Sequence, residues 1–362
     1  MVRTMSAKSG RNYGIDLLRL IAMFLIVLCH CFNQGGIVGA SSGAGLTAAT
    51  FTRNNLALYG TNLFALISGF VGYREEEKRF RYAGFLKFWL PVVFYSFGIA
   101  LLSFFLRPGT IPKRVLLLYL LPISTNKYWY VTAYAAVFFA APWINRLFRS
   151  CTEIEANRLA VTVLFVFVVY PYITRVFVDV FTIKAGYTAL WLCILYMLGA
   201  WMKKNGLTSA EYRKRWAALL LASLLFQLIV QIFRFFLEKS ITVERTDLSM
   251  LLISLSVVGL FASVQPGQRA VKLIRFFSPA AFGVYLIHVH PIVFERELYN
   301  AFAFVGSAPV WLIPFAALGC AFGVFFVCLL IEKLRLLLFR LLRIDALCDR
   351  LIESVQPVEQ TT

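Results

Sequence analysis

Acidic side chains are scarce in this sequence. Its 362 residues carry 18 Asp and Glu against 36 Lys and Arg, and histidine occurs three times. Charged residues make up only 15%, while 60% are hydrophobic and mean hydropathy is +0.75. That balance excludes a soluble globular protein of this length. The seven cysteines show no C-x-x-C spacing, and Cys29, Cys193, Cys320 and Cys328 fall inside apolar runs. They read as small hydrophobes and offer no disulfide framework. A Gly-rich phosphate loop, H-E-x-x-H and G-x-S-x-G are all missing. The signatures of P-loop, zincin and α/β-hydrolase chemistry are therefore absent. No internal repeat, soluble domain or linker interrupts the chain.

What is present is a series of long, continuous apolar runs. Barrel strands would alternate apolar and polar residues, so these runs predict helices. We count ten, near 14–33, 56–73, 84–106, 128–147, 159–178, 187–202, 216–237, 248–264, 280–298 and 308–332. The stretch Val115 to Leu121 is too short to span and reads as re-entrant or interfacial. With ten spans, 23 Lys and Arg lie in segments on the side of the termini and ten on the other. The positive-inside rule then puts both termini in the cytoplasm. The net charge of +18 is explained by this asymmetry and by attraction to anionic lipid, and calls for no nucleic acid. The fold class is all-α: a polytopic membrane protein of about ten transmembrane helices. Residues 1–332 form one membrane-embedded domain, and 333–362 form a cytoplasmic amphipathic tail. The first apolar run is expected to be retained rather than cleaved as a signal peptide, because a cleaved segment would not carry Asp16, Arg19 and His30.

Those three residues organise the reading. Arg19 and His30 are eleven residues apart, which returns a helix to within roughly 20° of the same face. Asp16 and Arg19 form an i,i+3 pair on that face. One stripe thus carries an ion pair near its inner end and an imidazole about 16 Å further along. Ionisable groups at membrane depth face a protein interior or a water-filled cavity, so the stripe is expected to line a reaction chamber. A neutral imidazole there can act as general base on a hydroxyl; a histidine satisfied by an inter-helix hydrogen bond is the plain alternative. Arg19 can clamp a phosphate or carboxylate, or can pair with Asp16 alone.

Elsewhere, Ser68 and Gly69 invite close backbone approach in the second span. Arg74, Lys78, Arg79 and Arg81 follow, then Lys87, a basic cluster suited to a polyphosphate ligand or to ordinary inner-side charge. Trp129 and Tyr130 open the fourth span, as an interfacial belt or as a platform for sugar rings. His288 and His290 stand about 200° apart on a helix, so they do not share a metal, and no metal site is expected. Glu295 and Glu297 lie just beyond.

Together these segments resemble the acyltransferase 3 family of membrane-bound enzymes that O-acylate carbohydrates. Span one carries its D-x-L-R pattern and a histidine at Asp16, Arg19 and His30. Span two is similar at Phe64 to Phe70, span four at Lys127 to Tyr130, and span nine at Phe282 to His288. The resemblance implies a catalytic set of His30, Arg19 and Asp16, with acyl-CoA, acetyl-CoA for preference, entering from the cytoplasm as cosubstrate. No permanently bound cofactor is implied. Candidate CoA contacts are Arg79, Arg81 and Lys87. Candidate acceptor contacts are Trp129, Tyr130, His288 and Glu295. The acceptor would be a carbohydrate or lipid-linked sugar at the outer side of a plasma membrane. Many members carry R-x-x-R before a proline at the start of span three, where this chain has only Lys87 before Pro91. The alternative from another class is a transporter or flippase using the same stripe as a path.

Overall fold

The computed structural model describes residues 11–77, 82–174, 178–237 and 243–355. Among them every regular element is helical. The first helix, α1 (Tyr13–Phe32), lies at the centre with most of its residues buried. Asn12 starts it: its side-chain oxygen accepts the Ile15 N–H at 3.0 Å, satisfying one of the donors that a helix start leaves open. Around α1 stand α2 (Gly60–Gly72), α3 (Tyr82–Leu106), α4 (Trp129–Ser150), α5 (Glu153–Leu164), α6 (Ala189–Lys204), α7 (Arg213–Phe236), α8 (Leu248–Ala262), α9 (Gln268–Phe277), α10 (Ala281–His288), α11 (Ile313–Leu341) and α12 (Ile344–Val355). Helix α1 packs directly on α2, α8, α10 and α11.

Eight helical stretches among the described residues are long and apolar enough to cross a membrane. The runs at 187–202 and 248–264 appear as the shorter helices α6 and α8, of 16 and 15 residues. At 1.5 Å per residue they reach about 22–24 Å, short of a hydrocarbon core of about 30 Å. Both are wrapped by protein: Trp191, Leu192 and Leu195 of α6 and Met250, Leu251 and Val258 of α8 are fully buried. The short apolar stretch after α3 forms the six-residue helix Lys113–Leu118 and carries Tyr119 into contact with Ile292 and Ala100.

Packing between α2 and α6 depends on absent side chains. A Cβ on Gly69 would stand 1.9 Å from the Tyr196 carbonyl oxygen, and one on Gly199 would stand 2.1 Å from that of Leu66. The two backbones therefore touch, which is how small residues hold helices together where lipid gives no hydrophobic drive. Amides supply the other cement. Gln227 of α7 donates to Asn55 Oδ1 (2.8 Å) and to the Tyr59 hydroxyl (2.9 Å), and accepts from Ser249 of α8 (3.1 Å).

Helix α11 runs unbroken across residue 332, where the sequence divides domain from tail. Helix α12 then packs against α3.

Candidate active site

The imidazole of His30 sits in the last turn of α1. Its partner comes from a helix 258 residues away in sequence: His30 Nδ1 lies 3.0 Å from His288 Nε2. The other nitrogen of His288, Nδ1, is 2.6 Å from the Val284 carbonyl oxygen, one turn back in α10. A carbonyl only accepts, so His288 Nδ1–H donates to it. In the neutral ring His288 Nε2 is then the acceptor, and His30 Nδ1–H donates to it. One lone pair is left over, on His30 Nε2. Three linked groups thus fix the tautomer of the first.

His290 shows a different arrangement two residues on. The Ile292 N–H donates to its Nδ1 (3.2 Å), so its Nε2–H donates to the Ser96 carbonyl (3.0 Å). Its ring stacks on Tyr119 at 5.3 Å. Both nitrogens are spent on backbone, and the ring is fully buried.

His30 lines a narrow cavity of about 40 Å³. Helix α1 gives it Met23, Ile26 and His30, α2 gives Thr61 and Phe64, and α10 gives Phe282 and Tyr285. Trp129 and Tyr130 enter from the start of α4, and Tyr187 and Arg245 from two loops. Phe294 closes edge-on over His30 at 5.1 Å. The wall is aromatic, with His30 and Arg245 its only ionisable nitrogen groups among the described residues.

The amino-terminal end of α1 is charged instead. Asp16, 5% exposed, accepts from Arg19 (2.8 Å) on its own helix and from Arg11 (2.5 Å), which also reaches Ser278 Oγ at 3.0 Å. Arg11, Asp16 and Arg19 line a cleft of about 420 Å³ with Tyr73, Arg74 and Lys203. A larger cleft of about 780 Å³ lies between α2, α4 and α6 and also contains Arg74, with Arg146 and Arg149 from α4. Tyr134 lines this larger cleft and Tyr130 lines the His30 cavity; their rings stack at 6.0 Å. Two stacked aromatic rings therefore lie between the imidazole cavity and a cleft of mixed charge, where Glu76 and Glu77 stand beside the arginines.

The family model described as an acyltransferase domain matches residues 12–333. This chain belongs to that acyltransferase family. No curated protein and no solved structure matches it. The match runs from the N-cap of α1 into α11 and so takes in both ends of the α1 stripe. Membership in an acyltransferase family displaces the transporter alternative.

Within this acyltransferase, the residues singled out by sequence fall into three groups. His30, Trp129 and Tyr130 share one cavity, and His288 stands behind His30 rather than in the wall. Asp16 and Arg19 meet at the opposite end of α1, in the charged cleft. The rest stand apart. Lys87 is paired with Asp349 of α12 at 2.7 Å and lines neither cleft. Glu295 sits exposed in the turn Val293–Glu297, outside the cavity wall. Arg79 and Arg81 lie outside the described residues. Two cavity residues carry no sequence signal of their own. Tyr187 and Arg245 lie in loops more than 150 residues beyond His30, and only folding brings them beside it.

Proposed function

We propose that this acyltransferase moves an acyl group, acetyl for preference, from acyl-CoA to a hydroxyl of a carbohydrate or lipid-linked sugar across a cell membrane. The observation that carries the reading is the hydrogen-bond chain from Val284 through His288 to His30, which leaves the His30 Nε2 lone pair as a base in an aromatic cavity.

In this account the donor's phosphates meet the basic cleft at the cytoplasmic end of α1, where Arg74, Arg11, Arg19 and Lys203 gather. Past Arg74, which lines both clefts, the thioester enters the larger one and reaches by the Tyr134 and Tyr130 rings toward His30. The acceptor hydroxyl arrives from the opposite side over Trp129. His30 Nε2 takes its proton as the oxygen attacks the thioester carbonyl. The tetrahedral intermediate collapses with loss of the CoA thiolate, which recovers the proton from His30. His288 keeps the ring in the correct tautomer and spreads the charge while His30 carries the proton, so it is a positioning residue.

The test is binding of acetyl-CoA to purified protein by calorimetry, wild type beside Arg19→Ala. Binding that weakens at least about tenfold in the variant supports a CoA site in the α1 cleft. No binding of acetyl-CoA or of longer acyl-CoAs by the wild type overturns the donor assignment.

A further inference from the structure

Among the described residues, Arg245 is the one permanent cation in the wall of the His30 cavity. Its backbone is pinned: the Arg245 carbonyl accepts from Asn62 Nδ2 at 2.8 Å, and Asn62 in turn accepts from Trp191 Nε1 at 3.1 Å. Its guanidinium is much less committed. The Tyr187 ring lies under one face, 4.4 Å from the guanidinium carbon. A guanidinium donates in its own plane, along its edges, so that contact leaves the donors open. The Nε is buried and has no hydrogen-bond partner among the described residues. A buried donor with nothing to bind is costly and usually marks a missing acceptor.

No carboxylate among the described residues forms an ion pair with Arg245. The neighbouring Glu244 is exposed and engages Thr246 Oγ1 at 3.5 Å. A second guanidinium, Arg53, lies within electrostatic reach of Arg245. Among the described residues its hydrogen bonds go to neutral oxygens, those of Asn33 (3.1 Å) and Asn54 (3.0 Å). Arg245 in the cavity wall, with Arg53 within electrostatic reach of it, sets up a standing positive field. A transient charge in the reaction needs only one donor group; a pair fits a ligand that brings its own negative charge.

We propose that Arg245, supported by Arg53, binds a carboxylate or phosphate carried by the acceptor, so that the acceptor is an acidic sugar and not a neutral one. This rests on the acyl-transfer reading above and names its acceptor class. The cavity is too narrow for a whole pyranose. The ring would stack at the mouth on Trp129 and Tyr187, which meet at 4.6 Å. One hydroxyl would reach toward His30, and the acidic group would lie along the Arg245 edge.

The experiment is a binding titration followed by ligand-observed NMR, with protein in lipid nanodiscs and no acyl donor. The probes are methyl glucuronide and its neutral twin methyl glucoside, with glucose 1-phosphate as the phosphate arm. The expected result is at least about tenfold tighter binding of an anionic probe, or 1.4 kcal/mol. Arg245→Gln should bring the ratio near one, Arg53→Gln should reduce it in part, and Arg245→Lys should retain an intermediate value. Circular dichroism and gel filtration check folding, and the Lys variant carries the test if the Gln variant fails to fold. Equal binding of the twins, no binding of either anionic probe, or a preference that survives in folded Arg245→Gln overturns the proposal. Because no donor is present, these outcomes are separate from failure of acyl transfer, which is read from acetyl-CoA consumption. Consumption with neutral acceptors alone would leave that reading intact and remove this one.

Discussion

The two ends of α1 solve the same problem in opposite ways. Each places ionisable groups inside an apolar helix, and each must satisfy them. At the amino-terminal end the answer is local and charged: Asp16 binds Arg19 one turn away and Arg11 just before the helix. At the far end it is distant and neutral: His30 donates to His288, and His288 donates to a backbone carbonyl. A salt bridge holds groups in place, with a guanidinium on each oxygen of Asp16. A chain of neutral donors ends in one unused lone pair, and that lone pair is what acid–base chemistry needs. Under the proposed function, anchoring and anion attraction belong to one end and proton transfer to the other.

That contrast can be broken by mutation. The largest effect should come from His30→Gln. It removes the base, so acyl-CoA consumption should fall about 10²–10⁴-fold with an unchanged circular dichroism spectrum. Activity within a factor of two of wild type would end the base assignment. Next is His288→Ala, which takes away the acceptor that fixes the tautomer; kcat should drop about 10–100-fold with little change in KM for the donor. A fall in folded yield with normal specific activity would make His288 merely structural. Smaller in effect, and on stability alone, is His290→Ala. Both its ring nitrogens serve backbone groups, so loss of about 1–3 kcal/mol in thermal unfolding with near-normal kcat is expected. Smallest is Asp16→Asn. Arg19 and Arg11 are partly exposed, so breaking their ion pairs should cost about 1 kcal/mol or less. Donor affinity should change more than kcat, because the charges line the cleft and not the cavity.

The same contrast explains what could be read from the sequence. The Asp16–Arg19 pair follows from helical periodicity, and the apolar runs announce their helices by length. Close approach at Ser68–Gly69 was legible too, and the Tyr196 carbonyl against Gly69 is its physical form. The His30–His288 contact was not legible, since periodicity relates residues on one helix and says nothing about which distant helix faces it. The spacing of His288 and His290 correctly kept them apart and could not say which would meet His30. Lys87 shows the same limit: its charge suggested a ligand, and its partner is Asp349 of the carboxyl-terminal helix. Past residue 332 helix α11 continues, as the leucines at helical spacing with basic residues between them lead one to expect.

The central claim is that His30 presents an unprotonated Nε2, set by His288. With only three histidines in the chain, ¹⁵N-histidine NMR of the protein in nanodiscs tests it most directly. The account predicts His30 and His288 protonated on Nδ1, His290 protonated on Nε2, and a change in the His30 signals alone among the remaining rings on His288→Ala. A His30 ring protonated on Nε2 in the wild type, or unmoved by loss of His288, would contradict it.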